Sequence, residues 1–256
     1  MPDLTPPSDF DHIRYMKMFH LSDDLEIKIQ QNIGPQKKSV VVIDNFYKDP
    51  DAVRQLCLES KKKTDPGLLS YMPGHRVFIE TAEVRKKLYP LFEELCFDTN
   101  IWGGGNWQNL RWFQAEWQKC AFICNVINDK TLADKPMGII PHQDAYRLQM
   151  PPLHTQFAAV IYLNTPEECS GGTNLYSYGG EISHFDRPES GIPVLEDPSQ
   201  VELFDHIKSY IDNSIEHTFE MVYNRMVLYE ADVLHGPSVE LGKFKNFSRI
   251  NQVLFM

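Results

Sequence analysis

Two tripeptides in this chain set a histidine two positions before an aspartate: His142-Gln143-Asp144 in "IIPHQDAY" and His184-Phe185-Asp186 in "SHFDRP". On extended backbone, residues i and i+2 project to the same side. Either pair can therefore offer an imidazole and a carboxylate to one cation, with a third ligand supplied by a distant strand. Two histidines and one carboxylate leave positions open on a metal such as iron(II), where a cosubstrate and dioxygen can bind. The tripeptide alone decides nothing, because it occurs twice among nine histidines.

The downstream residues of each copy separate the two. After His142 come the apolar run "FAAVIYLN", the Gly-Gly stretch "CSGGTNLYSY", and "VLYEADVLHGPS", which closes a strand on His235. Fourteen residues later "NFSRINQVLFM" carries Arg249. His184 and Asp186 lie beyond the Gly-Gly stretch and lead into a Pro-rich segment with no apolar strand, so they read as an exposed loop.

In this order the chain resembles the Fe(II)/2-oxoglutarate-dependent dioxygenase superfamily, in particular its prolyl-4-hydroxylase-like branch. The resemblance covers residues 107–256 and extends faintly to "VVVIDNFYKDPDAVR", a strand-to-helix opening. It implies that His142, Asp144 and His235 hold iron(II), and that 2-oxoglutarate and O2 occupy the remaining positions. Related halogenases replace the aspartate with a small residue, so Asp144 implies hydroxylation. The reaction implied is oxidative decarboxylation of 2-oxoglutarate to succinate and CO2, coupled to hydroxylation of an unactivated C–H bond.

The far carboxylate of 2-oxoglutarate would enter a mostly apolar interior, where an unpaired charge is costly. A guanidinium pairs with it bidentately, and Arg249 is the candidate. Asn251 stands where the family often has a hydroxyl residue, and its amide can still donate to the carboxylate. Tyr162 of "YLN" matches a tyrosine that binds the same carboxylate in this branch; a core aromatic is the competing reading. Asn125 in "FICNVIN" interrupts an apolar strand and suggests an inward hydrogen bond. Arg111 and Arg147 are further candidates for a substrate anion. Two other readings of the same residues stay open: a cupin-like metalloenzyme that does not use 2-oxoglutarate, and a non-catalytic jelly-roll binding protein.

The elements that must position these residues can be read from composition and period. Residues 1–10 are polar and Pro-rich and read as a flexible lead. "SVVVIDNFY" is a β-branched run and reads as a strand. "KDPDAVRQLCLESKKK" begins a helix, with Asp49 as N-cap, Pro50 at the first position and acidic Asp51 in the first turn. Residues 81–97 form a second amphipathic segment, in which Pro90 implies a kink or break. From residue 107, short β-rich runs beginning with "LRWFQAEWQ" and "CAFICNVIN" alternate with turn residues, the pattern of a sandwich or barrel. Residues 182–220 interrupt it with prolines and a helical-looking "SQVELFDHIKSYIDN".

The fold expected is α+β, mainly β. A helical N-terminal part at about residues 11–100 packs on a double-stranded β-helix (jelly roll) at about 107–256, the two forming one domain. The four tryptophans fall at 102, 107, 112 and 117, a spacing that matches neither a helix face nor a strand face, so they read as core and rim packing.

Bulk properties narrow the classes of function. Of the 256 residues, 42% are hydrophobic, as in a folded globular protein. A net charge of −10 argues against a general grip on nucleic acid or an anionic membrane. The five cysteines contain no CxxC pair and suit a reducing compartment. With no signal pattern and no long apolar run, the expectation is a cytoplasmic protein acting on a small-molecule or peptidyl substrate. Oligomeric state is not legible.

Overall fold

The computed structural model describes residues 18–34, 37–59, 75–79, 82–103, 110–117, 122–130, 141, 144, 156–176, 215–239 and 242–256. Ten strands form two antiparallel sheets among these residues. The larger has seven strands. They are β1 (Glu26–Ile33), β2 (Lys38–Asp44), β3 (His75–Ile79), β4 (Phe122–Ile127), β5 (Phe157–Tyr162), β8 (Met226–Glu230) and β10 (Arg249–Phe255), in the order β1-β2-β8-β5-β10-β4-β3. The smaller sheet contains β6 (Gly172–Tyr176), β7 (Ile215–Glu220) and β9 (His235–Ser238), in the order β7-β6-β9.

The central strands of the large sheet are apolar without alternation because both of their faces are covered. Odd residues of β2 and β5 (Val41, Ile43, Phe157, Ala159 and Ile161) join a core that also includes the helical residues Val53, Cys57, Phe92 and Phe113. Their even neighbours Val40, Val42, Ala158, Val160 and Tyr162 join a second core with Leu175 and Phe219 of the small sheet. Full burial of each such side chain contributes roughly 1.5–3 kcal/mol, so the stacking order is strongly specified. Arg249 and Asn251 have the parity of Val253 and Phe255, which pack on the second core. They therefore occupy the space between the sheets.

Among the described residues four α-helices lie outside the sheets: α1 (Pro50–Glu59), α2 (Ala82–Cys96), α3 (Thr99–Trp102) and α4 (Leu110–Trp117). The expected cap of α1 is present, with Ala52 N donating to Asp49 Oδ1 at 3.1 Å. Val53 and Cys57 face the core, and Leu56 packs against it half-buried. Of the kink or break expected at Pro90, the break is absent: helix α2 runs unbroken through it. Trp117 is buried, and half-buried Trp102 donates Nε1–H to Leu95 O at 2.7 Å.

Three further expectations need correction. "LRWFQAEWQ" is not a strand but helix α4, in which Phe113 and Trp117 stand four apart on the buried side. Their aromatic β-propensity is overridden by packing on α2, where Trp117 lies 5.3 Å from Phe92 between ring centroids. The N-terminal part is not simply helical, since β1, β2 and β3 supply both ends of the large sheet. "RMVLYEADVLHG" is two strands, β8 and β9, in different sheets, separated by a turn at Ala231 and Asp232. Strand β7 ends the 182–220 segment; its residues 182–214, including His184, Asp186 and the helical-looking run, lie outside the described residues. Among the described residues no helix is long and apolar enough to cross a membrane.

Candidate functional site

Two polar features face each other across the intersheet space. The first is at His235, the opening residue of β9, which is 5% exposed. Its Nδ1 lies 3.0 Å from Val233 O, and a carbonyl only accepts, so Nδ1 carries the proton. In the neutral ring that leaves Nε2 with a lone pair, 3.2 Å from Asp144 Oδ2. Burial disfavours the charged ring, but the Asp144 carboxylate outweighs it and holds the His235 pKa above its ordinary value. Two lone pairs cannot rest at that separation without a proton or a cation between them. Two ligands at right angles, each about 2.1 Å from one octahedral ion, stand roughly 3 Å apart. The donor set and its spacing therefore fit a shared metal.

Local sequence brings the two segments together. A Cβ at Gly236 would lie 3.2 Å from Pro141 Cα, so a small residue after His235 admits the backbone of the "PHQD" segment. His142 lies outside the described residues. Among the described residues no group of three or more metal-ligating side chains forms.

The second feature is Arg249, 2% exposed. Its Nη1 donates to Asn251 Oδ1 at 3.1 Å and its Nη2 to Gly172 O at 3.1 Å. The Tyr162 ring lies 5.9 Å from the guanidinium carbon. Nε is buried with no hydrogen-bond partner, and among the described residues no carboxylate pairs with this side chain. Burial lowers its pKa, partly offset by Tyr162. An uncompensated buried guanidinium is expensive, and an incoming anion would relieve it.

Two motifs fix this arginine in place. Gly172 has φ +152°, and a Cβ there would meet Phe219 O at 1.9 Å, so only glycine lets β6 and β7 approach with its carbonyl turned to Arg249. Asn164 of "YLN", fully buried, brackets the arginine: Nδ2 donates to Ser248 O at 2.8 Å, and Oδ1 accepts from Ile250 N at 2.7 Å. Sequence reading singled out neither residue for this work. The available signals were a Gly-Gly pair entering a strand and a polar residue closing an apolar one.

The remaining candidates divide. The Tyr162 hydroxyl is hydrogen-bonded to Thr173 Oγ1 at 2.6 Å, inside the second core. Asn251 uses its Oδ1 on Arg249, which leaves its N–H groups to donate elsewhere. Asn125 pairs directly with Asn251 between β4 and β10, and Asn251 with Tyr162 between β10 and β5. These three residues thus form one row across the sheet. Arg111 is exposed on α4, and Arg147 lies outside the described residues.

Along the small sheet, Gly172 pairs with Ser238 and Leu175 with His235. The carbonyl that holds Arg249 is therefore three residues from the level of His235, roughly 10 Å along the strand.

A family model matches residues 25–246, more than half of the chain. The chain belongs to the family of unknown function DUF6445. No curated protein matches it. Among solved structures, a Pseudomonas putida prolyl-4-hydroxylase aligns at 13% identity and TM-score 0.38, covering 90% of each chain. The non-heme alpha-ketoglutarate-dependent carbocyclase SnoK, from nogalamycin biosynthesis, aligns at 14% identity and TM-score 0.41, covering 86% of this chain and 79% of its own. An N-substituted L-amino acid dioxygenase from Burkholderia ambifaria AMMD aligns at 12% identity and TM-score 0.36, covering 86% and 82%. Likenesses of this depth carry no argument about this chain's chemistry.

Proposed function

We propose that this DUF6445 protein is an iron(II)- and 2-oxoglutarate-dependent oxygenase on a jelly-roll fold, hydroxylating a C–H bond of a small molecule or peptidyl residue. The observation that carries the reading is Arg249: a buried guanidinium, short of partners, that shares the intersheet space with the His235–Asp144 pair. The roughly 10 Å between their levels suits a five-carbon dicarboxylate with a contact at each end. The chain order of His142, Asp144, His235 and Arg249 supports the same reading.

In this reading His142, Asp144 and His235 hold the iron, and the bound metal and cosubstrate supply the oxidising chemistry. The protein's own residues do the rest. Val233 O fixes the His235 tautomer so that Nε2 faces the metal. Arg249, held by Gly172 O and Asn251, takes the far carboxylate of 2-oxoglutarate. Asn164 keeps Arg249 at its level, and the second core, on whose side of β10 Arg249 lies, excludes water. The Asp144 carboxylate favours hydroxylation over halogenation. No nucleic-acid or membrane partner is part of this proposal, and its place of action is the cytoplasm.

The test is iron content after anaerobic gel filtration with Fe(II), with and without 2-oxoglutarate. One iron per chain is expected, tighter with 2-oxoglutarate, and lost in Asp144→Ala. Iron binding that is indifferent to 2-oxoglutarate, in wild type and Arg249→Ala alike, would leave a metalloenzyme of another kind.

A further inference from the structure

One connection reaches Arg249 from both of its ends. It runs from Asn164, just past β5, to Gly172, which opens β6, with a 3-10 turn at Pro166–Glu168 between them. Asn164 grips β10 on either side of the arginine, at Ser248 O and Ile250 N, and Gly172 O accepts from the arginine's Nη2. Whatever fixes this connection therefore fixes the guanidinium.

The fastening is at Glu168. Its Oε1 and Oε2 accept from Arg54 Nη2 at 2.9 and 2.8 Å, across 114 residues of chain. Oε2 also accepts from Asn164 Nδ2 and from Thr165 N, each at 3.4 Å. One carboxylate thus meets helix α1, the backbone of the turn, and the residue that brackets Arg249. Both side chains of the ion pair are only 20% exposed, so solvent screens it less than a surface pair. Its anchor is firm, because Val53 and Cys57 bury the same helix in the first core.

We propose that Glu168, clamped by Arg54, is a positioning residue for Arg249. It holds the 164–172 connection so that Asn164 and Gly172 present the guanidinium to the far carboxylate of the cosubstrate. This rests on the dioxygenase reading above. The metal end is held separately, by Val233 O on His235 and by His235 against Asp144. Loosening the clamp should therefore weaken the grip on the dicarboxylate and spare the metal.

The test is calorimetric titration of the full chain with Mn(II), in place of iron, and then with 2-oxoglutarate. Glu168→Ala is expected to weaken 2-oxoglutarate binding about 3- to 30-fold, the range for a residue acting through a packed network. Mn(II) affinity should stay within about 2-fold of wild type. Arg54→Met should give the same split. Arg54→Lys should restore most of the affinity, because both contacts to Glu168 come from one nitrogen and an ammonium supplies such a donor. Should Glu168→Ala not fold, the two Arg54 variants carry the comparison. An ion pair with a merely structural role would lower the melting temperature and leave the 2-oxoglutarate affinity of the folded protein unchanged, and that result overturns the inference. Equal losses of Mn(II) and 2-oxoglutarate overturn it too. Wild-type protein that binds no 2-oxoglutarate overturns the dioxygenase reading itself, and this inference with it.

Discussion

Replacing Arg249 with methionine should separate a ligand-binding arginine from a structural one. In the ligand-free protein the guanidinium is buried, makes two hydrogen bonds, and leaves Nε unsatisfied. Removing it deletes a charge without a described counter-ion, a change often neutral or stabilising by about 1–4 kcal/mol. The same change strips Gly172 O and Asn251 Oδ1 of a donor, at about 1–3 kcal/mol each at most. These opposed terms leave ligand-free Arg249→Met within about 2 kcal/mol of wild type. Ligand binding should respond far more. Saturation at 100 times Kd stabilises wild type by about 2.7 kcal/mol, or roughly 5–10 °C for a domain of this size. Loss of one partner of a buried charge pair costs about 3–5 kcal/mol, so affinity should fall roughly 150- to 5000-fold. At the same ligand concentration the thermal shift should then be less than about 1 °C. Differential scanning fluorimetry with Mn(II) and 2-oxoglutarate measures both quantities. A variant that keeps the ligand shift refutes the assignment. So does a ligand-free variant destabilised by the full cost of a broken ion pair, because Arg249 would then be structural.

Three other perturbations probe the frame around the site. Gly172→Ala should destabilise by roughly 2 kcal/mol or more on chemical denaturation, because its Cβ would overlap Phe219 O in a conformation that disfavours side chains. Asn164→Ala should cost roughly 2–4 kcal/mol by the same measurement, since Ser248 O and Ile250 N lose their buried partner, and it should weaken 2-oxoglutarate binding through Arg249. Asp44 accepts from Arg225 Nε at 2.6 Å and from Lys28 Nζ at 2.9 Å. The Arg225 hydrogen bonds, against the opposing effect of burial and with help from Lys28, hold its pKa below the ordinary carboxylate value. Its contribution is therefore full above the unfolded pKa and is lost as pH falls through the lower folded one. Melting temperature measured against pH should show Asp44→Asn less stable at neutral pH by roughly 1–2 kcal/mol, with the gap closing in acid.

The directions of His235 and Arg249 were legible because each opens a strand, where parity and turn residues fix the side it faces. Arg249 and Asn251 read correctly as one face of the last strand. The helix at residues 110–117 was misread because Trp112, Phe113 and Trp117 carry β-propensity, while the i, i+4 packing that overrides it depends on α2, distant in sequence. Strand β1 was missed although "EIKIQQNI" alternates, since Ile27 and Ile29 sit exposed at a sheet edge and form no apolar run. Asn164 and Gly172 were missed for a shared reason. Their roles exist only across strands, and one sequence does not show which carbonyl, amide or ring each will face.

The most direct test of the central claim is anaerobic titration of the protein with Fe(II) and 2-oxoglutarate, followed in the visible spectrum and then by succinate release on admitting O2. We expect a weak charge-transfer band that saturates at one 2-oxoglutarate per chain, absent in Asp144→Ala and needing far more 2-oxoglutarate in Arg249→Met. No band at any ratio of the two, and no succinate above the protein-free background, would contradict it.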